Sequence, residues 1–383
     1  MQRINFLPAL VAILFFAGCI KAYDPVIDSS AGNKYVVSGK ITNIEGWQEV
    51  EVSLSSPISS PKFIPVEGCY VAVSDDKGNQ FQLTAVDPGH YRVWMRQADL
   101  VPGNAYRVKV VTRDNIILES DYDTMPRGPS LDSVYYGITE VPTNNPQVNN
   151  KVMQFYVDLN AVGNYSPYYK WDIVETWEYH AMLPAQYYYD GDIHEIIPPD
   201  SSNMVCWRTQ PVRNVFTLST KSLQQNSYKK FPLHNIDGKT SRLKYMYSMM
   251  VYQHALSEGA YTYWERLRVN SNEQGGLYEK QPFAIKGNVK NITDPTHDVL
   301  GCFYTTSESS RRYFYKDVEG ITLDFFNGCA PYERGRFGWR EIYAWEYPVY
   351  FYYNELGQIR LLNRECIDCR FLGGTKVKPD FWP

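Results

Sequence analysis

Three stretches of this sequence carry residue types whose spacing can do chemistry. The first is Phe16-Ala17-Gly18-Cys19. Small residues before a cysteine let a lipoprotein signal peptidase reach the backbone, and the thiol then takes a diacylglycerol. Arg3 and the apolar run Phe6 to Phe16 precede it, which is the make-up of a secretory signal peptide. That run falls short of the roughly 20 apolar residues of a spanning helix. Phe16 stands where leucine is more usual. The expectation is a signal peptide over 1–18 and lipidation of Cys19, with an ordinary leader and an incidental cysteine as the alternative. The second stretch is Cys366-Ile367-Asp368-Cys369. A redox-active pair needs a helix N-terminus to lower a thiol pKa. The flanks Arg364-Glu365 and Arg370 to Gly374 read instead as an irregular C-terminal loop. One such pair is also only half of a structural zinc site. Structural disulfides are expected, with Cys206, Cys329, Cys366 and Cys369 as candidates fastening the tail to the preceding domain. Connectivity stays open. The third stretch is Asp190-Gly191-Asp192-Ile193-His194-Glu195, which matches an alternating-oxygen calcium loop only in part. A solvated loop is expected there, with no metal and no cofactor.

The rest of the chain offers no catalytic constellation. There is no G-x-S-x-G elbow, P-loop, dinucleotide fingerprint or H-E-x-x-H. The six histidines, His90, His180, His194, His234, His254 and His297, are scattered. Net charge is −4 with no basic stripe, so nucleic acid is not an expected partner. No catalytic residue is expected, and a non-enzymatic role follows.

The elements around these stretches read as β. The 383 residues suffice for two cores. The chain has 32 Tyr and 9 Trp, residues that favour strands and half-buried positions. Residues 19–34 read as a polar tether. Val50, Val52 and Leu54 then alternate with Glu51 and Ser53, and strands follow at 70–74, 81–84, 91–94 and 106–110, separated by turns such as Asp75 to Asn79 and Pro102-Gly103-Asn104. Short strands at this spacing indicate a β-sandwich over 35–125. Their order resembles the transthyretin-like sandwiches found as carboxypeptidase regulatory domains. Pro126, Pro129, Pro142 and Pro146 mark 126–150 as a linker or crossing segment. A second β-rich, sandwich-like domain is expected over 151–383. Its strands include Met153-Phe155-Val157-Leu159 on one face and the aromatic run 168–178. One helix is expected near 257–270, capped by Ser257, with Tyr261, Trp264 and Leu267 as its packing stripe.

The segment Ala255 to Trp264, then Gly275 to Pro282, Gly287-Asn288-Val289 and the ending Cys366-Ile367-Asp368-Cys369-Arg370, Gly373-Gly374-Thr375 and Lys378 to Trp382 resemble the family called domain of unknown function 4249. The likeness spans nearly all of the chain after the leader. It implies a lipid-anchored outer-membrane protein of Bacteroidota, of a kind often encoded beside TonB-dependent transporters, with no established catalytic residues. Cys302 stands where the family usually has Tyr. It and Cys69 therefore fall outside the usual cysteine framework, either free or paired with each other. The resemblance also makes Asp123-Thr124-Met125 and Asp132-Ser133-Val134 candidate O-glycosylation sites, at Thr124 and Ser133.

Two functions are thus expected from the sequence. The first is an accessory or binding subunit of a TonB-dependent transporter or another outer-membrane assembly. The second is a stand-alone glycan-binding lipoprotein, its aromatics forming a sugar platform. An envelope hydrolase is the remote third. The side of the membrane stays open, because Ile20-Lys21-Ala22-Tyr23-Asp24 offers one acid and one base.

Overall fold

The computed structural model describes residues 33–57, 60–142, 149–272, 285–333, 339 and 342–383. The expected leader, Cys19, nearly all of the tether and Gly275-Gly276 lie outside them. The protein is mainly β, as its composition implies.

The first sandwich is built from β1 (Tyr35–Thr42), β2 (Gly46–Leu54), β3 (Ile64–Pro65), β4 (Tyr70–Asp75), β5 (Gln80–Asp87), β6 (His90–Met95), β7 (Ala105–Val111), β8 (Ile117–Ser120) and β9 (Asp123–Thr124). Alternation puts Val50 and Val52 inside beside Val37 and Ile41 of the neighbouring β1, with Val71, Val73, Val108 and Val110 of β4 and β7 in the same core. The turn between β4 and β5 forms because the Asp75 carboxylate accepts from the backbone N–H of Lys77 and Asn79, at 3.0 and 2.8 Å. Gly78 supplies the positive φ that the turn requires. The first half of β5 pairs with β4 and its second half with β6, so one strand belongs to both layers and folds them together.

The next stretch contributes β10 (Val134–Pro142), β11 (Asn149–Asn160), β12 (Tyr168–His180), β13 (Ala185–Tyr189), β14 (Ile193–Asp200), β15 (Val205–Pro211), β16 (Phe216–Ser219), β17 (Ser227–Asp237) and β18 (Met246–Ala255). Sheet β10-β11-β17 packs on a layer holding β15 and β16 on one side of β12 and β18 on the other. Met153, Phe155, Val157 and Leu159 all point into this core. Each contributes on the order of 2 kcal/mol of burial energy. Phe155 stacks on Tyr247 of the opposite layer, 5.9 Å between ring centres.

The helix α1 (Glu258–Asn272) is capped as expected: Ser257 Oγ accepts the Ala260 N–H at 3.1 Å. Its Tyr261 and Trp264 pack with Tyr168, Leu256 and Tyr304, so the aromatic stripe is a packing face. Four strands follow: β19 (Val289–Asn291), β20 (Phe303–Lys316), β21 (Val349–Tyr353) and β22 (Ile359–Leu362).

Two expectations are corrected here. Residues 126–150 are not simply a linker, because β10 occupies 134–142 and pairs with β11 along its whole length. Pro142 is tolerated because it ends an edge strand, where a missing N–H costs the ladder nothing. Nor does 151–383 form one separate unit. β19 pairs with β8, and β20 is shared: its first residues run parallel to β1, while the rest runs antiparallel to β18. The tail builds a third, small sheet in the order β14-β13-β21-β22. The segment Asp190-Gly191-Asp192 is the turn of the β13–β14 hairpin, with the His194 ring 2.9 Å from Asp190 Oδ1 and stacked on Tyr188.

Candidate functional site

The Cys366-x-x-Cys369 pair is divided between two bridges. Cys369 bonds to Cys206 on β15, and Cys366 bonds to Cys329. All four expected cysteines are therefore structural, and neither bridge joins the vicinal pair. Cys69 and Cys302 are both free. Burial pushes the Cys302 thiol up to about 12, and the Asp123 charge adds to the effect. Burial also raises the Cys69 thiol, against a hydrogen bond with Tyr91. Neither is a ready nucleophile.

The two bridges frame a cleft of about 510 Å³ at one end of the second sandwich. Strand register explains its floor. In the β12–β15 pair, Trp177 lies opposite Arg208, Glu175 opposite Gln210 and Tyr179 opposite Cys206. Cys206 is thus fixed to Cys369 within the same wall that carries Arg208. The connection between β17 and β18 supplies Lys239, Thr240, Arg242, Lys244 and Tyr245. Phe325, Phe326 and Asn327, just ahead of Cys329, form the third wall together with Leu372. Phe326 stands at the mouth, 74% exposed.

The electrostatics of the cleft are one-sided. Arg208, Lys239, Arg242 and Lys244 line it, and no Asp or Glu does among the described residues. The guanidinium carbons of Arg208 and Arg242 lie 5.7 and 5.2 Å from the Trp177 ring centre, in cation–π range. Arg242 is held by Glu175 beneath the floor, Nη1 to Oε1 at 3.4 Å. Burial would push that carboxyl up, but His234, Gln210 and Arg242 outweigh it and hold Glu175 below its ordinary range. Arg208, Lys239 and Lys244 form no ion pair with any described residue. Thr240 Oγ1 is buried with no hydrogen-bond partner among the described residues. The His180 ring stacks on Tyr245 at 3.7 Å and meets Glu178 Oε1 at 2.7 Å.

A second polar cluster is built on buried Lys170 and His254, with the Asp172 side chain that joins them 41% exposed. Lys170, fully buried, ion-pairs with Asp172 and lies 4.1 Å over the Trp264 ring. His254 is wholly buried with Nε2 3.0 Å from Asp172 Oδ2 and Nδ1 3.6 Å from Glu308 Oε2. Neither His254 contact has good hydrogen-bond alignment. Burial depresses His254 against the pull of Asp172. Burial opposes ionisation of Asp172, yet His254 and Lys170 hold its carboxyl far below the usual range. The network ties β12, β18 and β20 together. The larger groove nearby, about 710 Å³, mixes Glu49, Glu51 and Asp87 with Lys40, His90 and Arg92. Within it His90 Nδ1 lies 4.0 Å from Glu51 Oε2, and Lys40 pairs with Glu308 alongside.

A family model for a domain of unknown function (DUF4249) matches residues 20–312. The chain belongs to the DUF4249 family. No curated protein matches it. The match ends within β20, so the DUF4249 region carries Cys206 and the cationic loop, whereas Cys329, Cys366 and Cys369 lie in the 71-residue tail beyond it (383 minus 312).

The other sequence candidates fall away from the cleft. Thr124 is exposed on β9, opposite Ala105, and Ser133 is exposed just before β10. Neither sits in an open linker. The cationic side chains were not singled out by their sequence. A signal was present: Lys239, Arg242 and Lys244 fall in Gly238-Lys239-Thr240-Ser241-Arg242-Leu243-Lys244, a loop with no acid. Arg208 joins them only through strand pairing.

Proposed function

We propose that this DUF4249 protein is a non-enzymatic binding protein of the bacterial envelope. In this reading it is lipid-anchored through Cys19 in the outer membrane and acts as an accessory subunit of a TonB-dependent transporter or a comparable assembly. The observation that carries the binding role is the cleft. Its walls come from three separate parts of the chain, two of them adjoining a disulfide, and its lining holds aromatics and cations without an ion-pair partner among the described residues. Rigid walls lower the entropy lost on binding. The leader, the Cys19 motif and the family's setting support the anchor and the choice of partner.

The test uses the full-length tagged protein, expressed in its own host and gently solubilised from outer membranes. Mass spectrometry of the captured material should reveal a stoichiometric transporter barrel. Cys19→Ala should abolish incorporation of a labelled fatty acid into the protein. A lipid-bearing protein that elutes without any partner would overturn the accessory role.

A second reading has its own support. Tyr343 and Trp345 lie with ring planes 8° apart and centres 5.6 Å apart, 62% and 79% exposed. Parallel exposed rings are the geometry on which sugars stack. A glycan array probed with the wild type and with Tyr343→Ala/Trp345→Ala separates this reading from the first.

A further inference from the structure

We infer that the disulfide-framed cleft is the binding site for a small amphipathic anion, a carboxylate or sulfonate carrying an aromatic or apolar body. This rests on the binding role proposed above and specifies its ligand class.

The volume is that of a small-molecule site, since such pockets commonly run to roughly 300–1,000 Å³. A chain of net charge −4 gathers four cations around this one opening and places no described carboxylate on its lining. Gathering like charges without counter-charges is unfavourable in the empty site. A bound anion relieves it. Three of the four cations, Arg208, Lys239 and Lys244, have no protein counter-ion among the described residues. The fourth, Arg242, is oriented by Glu175 from below. The planar guanidinium groups beside Trp177 can present paired N–H donors to a carboxylate or sulfonate. Thr240 Oγ1, buried in the lining with no partner, supplies one more donor.

The remainder of the lining sets the other half of the ligand. Met182, Met204, Phe325, Phe326 and Leu372 line the same cleft and supply its apolar surface. A hydrated inorganic anion would leave that surface uncovered, and a neutral hydrophobe would leave the cations unanswered. An anion with an apolar body fills both. The loop carrying Lys239 to Lys244 and the segment carrying Phe325 and Phe326 come from different parts of the chain, so the combination exists only in the folded protein.

The experiment is isothermal titration of the intact, oxidised protein with 2-naphthylacetate, with 2-naphthylacetamide as the uncharged twin and sodium sulfate as the bare anion. The carboxylate is expected to bind at least ten-fold tighter than either control and to weaken as salt rises. Lys239→Gln/Lys244→Gln should weaken it about ten-fold. These side chains are exposed, so the fold should persist, and an unchanged circular dichroism melt verifies this. Phe326→Ala should weaken the carboxylate while leaving the sulfate response unchanged. No binding of the carboxylate up to millimolar concentration, equal binding of acid and amide, or indifference to Lys239→Gln/Lys244→Gln would each overturn the inference. A partner-free pull-down with charge-dependent titration would sink the accessory role alone. A captured barrel with no titration would sink the ligand class alone.

Discussion

Serine replacement of one cysteine pair at a time separates the roles of the two bridges. Cys206 and Cys369 are 163 residues apart, whereas Cys329 and Cys366 are 37 apart. In the chain-entropy model the longer loop corresponds to about 5 kcal/mol of stabilisation and the shorter to about 4 kcal/mol. The shorter loop is nested inside the longer, which changes the first figure by only a few tenths. The Cys206–Cys369 bridge does not act alone. Tyr179 donates its hydroxyl to the Cys369 carbonyl at 2.9 Å, and Trp207 exchanges backbone hydrogen bonds with Thr375 at 2.8 and 2.9 Å. The tail of Cys206→Ser/Cys369→Ser should therefore stay docked in buffer but detach early in urea. Cleavage by chymotrypsin after Phe371 should appear at urea concentrations where the wild type resists. Peptide mapping without reductant comes first and should recover Cys206 linked to Cys369 and Cys329 linked to Cys366. A Cys366–Cys369 linked peptide would refute the connectivity and restore the redox reading. A double-serine variant as resistant to urea as the wild type would refute the energetic argument.

Three further outcomes are expected. His254 is harder to protonate in the folded chain than in the unfolded one, where its pKa is about 6.5. Its contribution to stability should be complete above that pH and fall away as pH drops below it. Asp172, depressed in the fold, should add a second loss below about pH 4. Urea midpoints measured from pH 8 to 2 check this, and His254→Gln should flatten the upper part of the acid limb. Gly301→Ala should cost more than about 3 kcal/mol, because a Cβ there would lie 2.2 Å from the Val37 carbonyl oxygen at a φ of +86°; a melting temperature within a degree or two of wild type would contradict it. Cys302 should resist iodoacetamide at pH 8 in the folded protein and react in urea, while half-buried Cys69 reacts at an intermediate rate. Mass spectrometry of the alkylated peptides would expose a reversed order.

Local features were the legible ones. Strands β2 and β11 announce themselves because each buries one face, and period-2 alternation is then forced. The Asp75 turn and the Ser257 cap are satisfied within a few residues of themselves, so their chemistry is written in short words of sequence. The structural reading of the CxxC pair holds because each cysteine is bonded to a distant partner, although its flanks form short 3-10 turns, Arg364–Cys366 and Cys369–Leu372, rather than an irregular loop. Strand β10 was missed for a physical reason. It is an edge strand with Tyr135, Tyr136 and Ile138 exposed, so its alternation is weak, and the prolines around it imitate a linker. The sharing of β20 could not be read, since nothing in Phe303 to Lys316 states that one half will find β1 and the other β18. The cleft was illegible for the same reason: Trp177, Arg208, Lys244 and Phe326 meet only after pairing across long stretches of chain.

The shared strand also orders the birth of the molecule. β1 is among the first structured segments to emerge from a ribosome or a translocation pore, yet its parallel neighbour follows about 260 residues later. Until Phe303 to Thr306 arrive, one edge of the first sandwich displays unpaired N–H and C=O groups, an invitation to pair with another chain. Late-closing contacts of this kind fold slowly. The protein cannot be finished piecemeal from its N-terminus. A fragment stopping at residue 125 lacks both β19 and β20, and should be recovered as an aggregate rather than as a module.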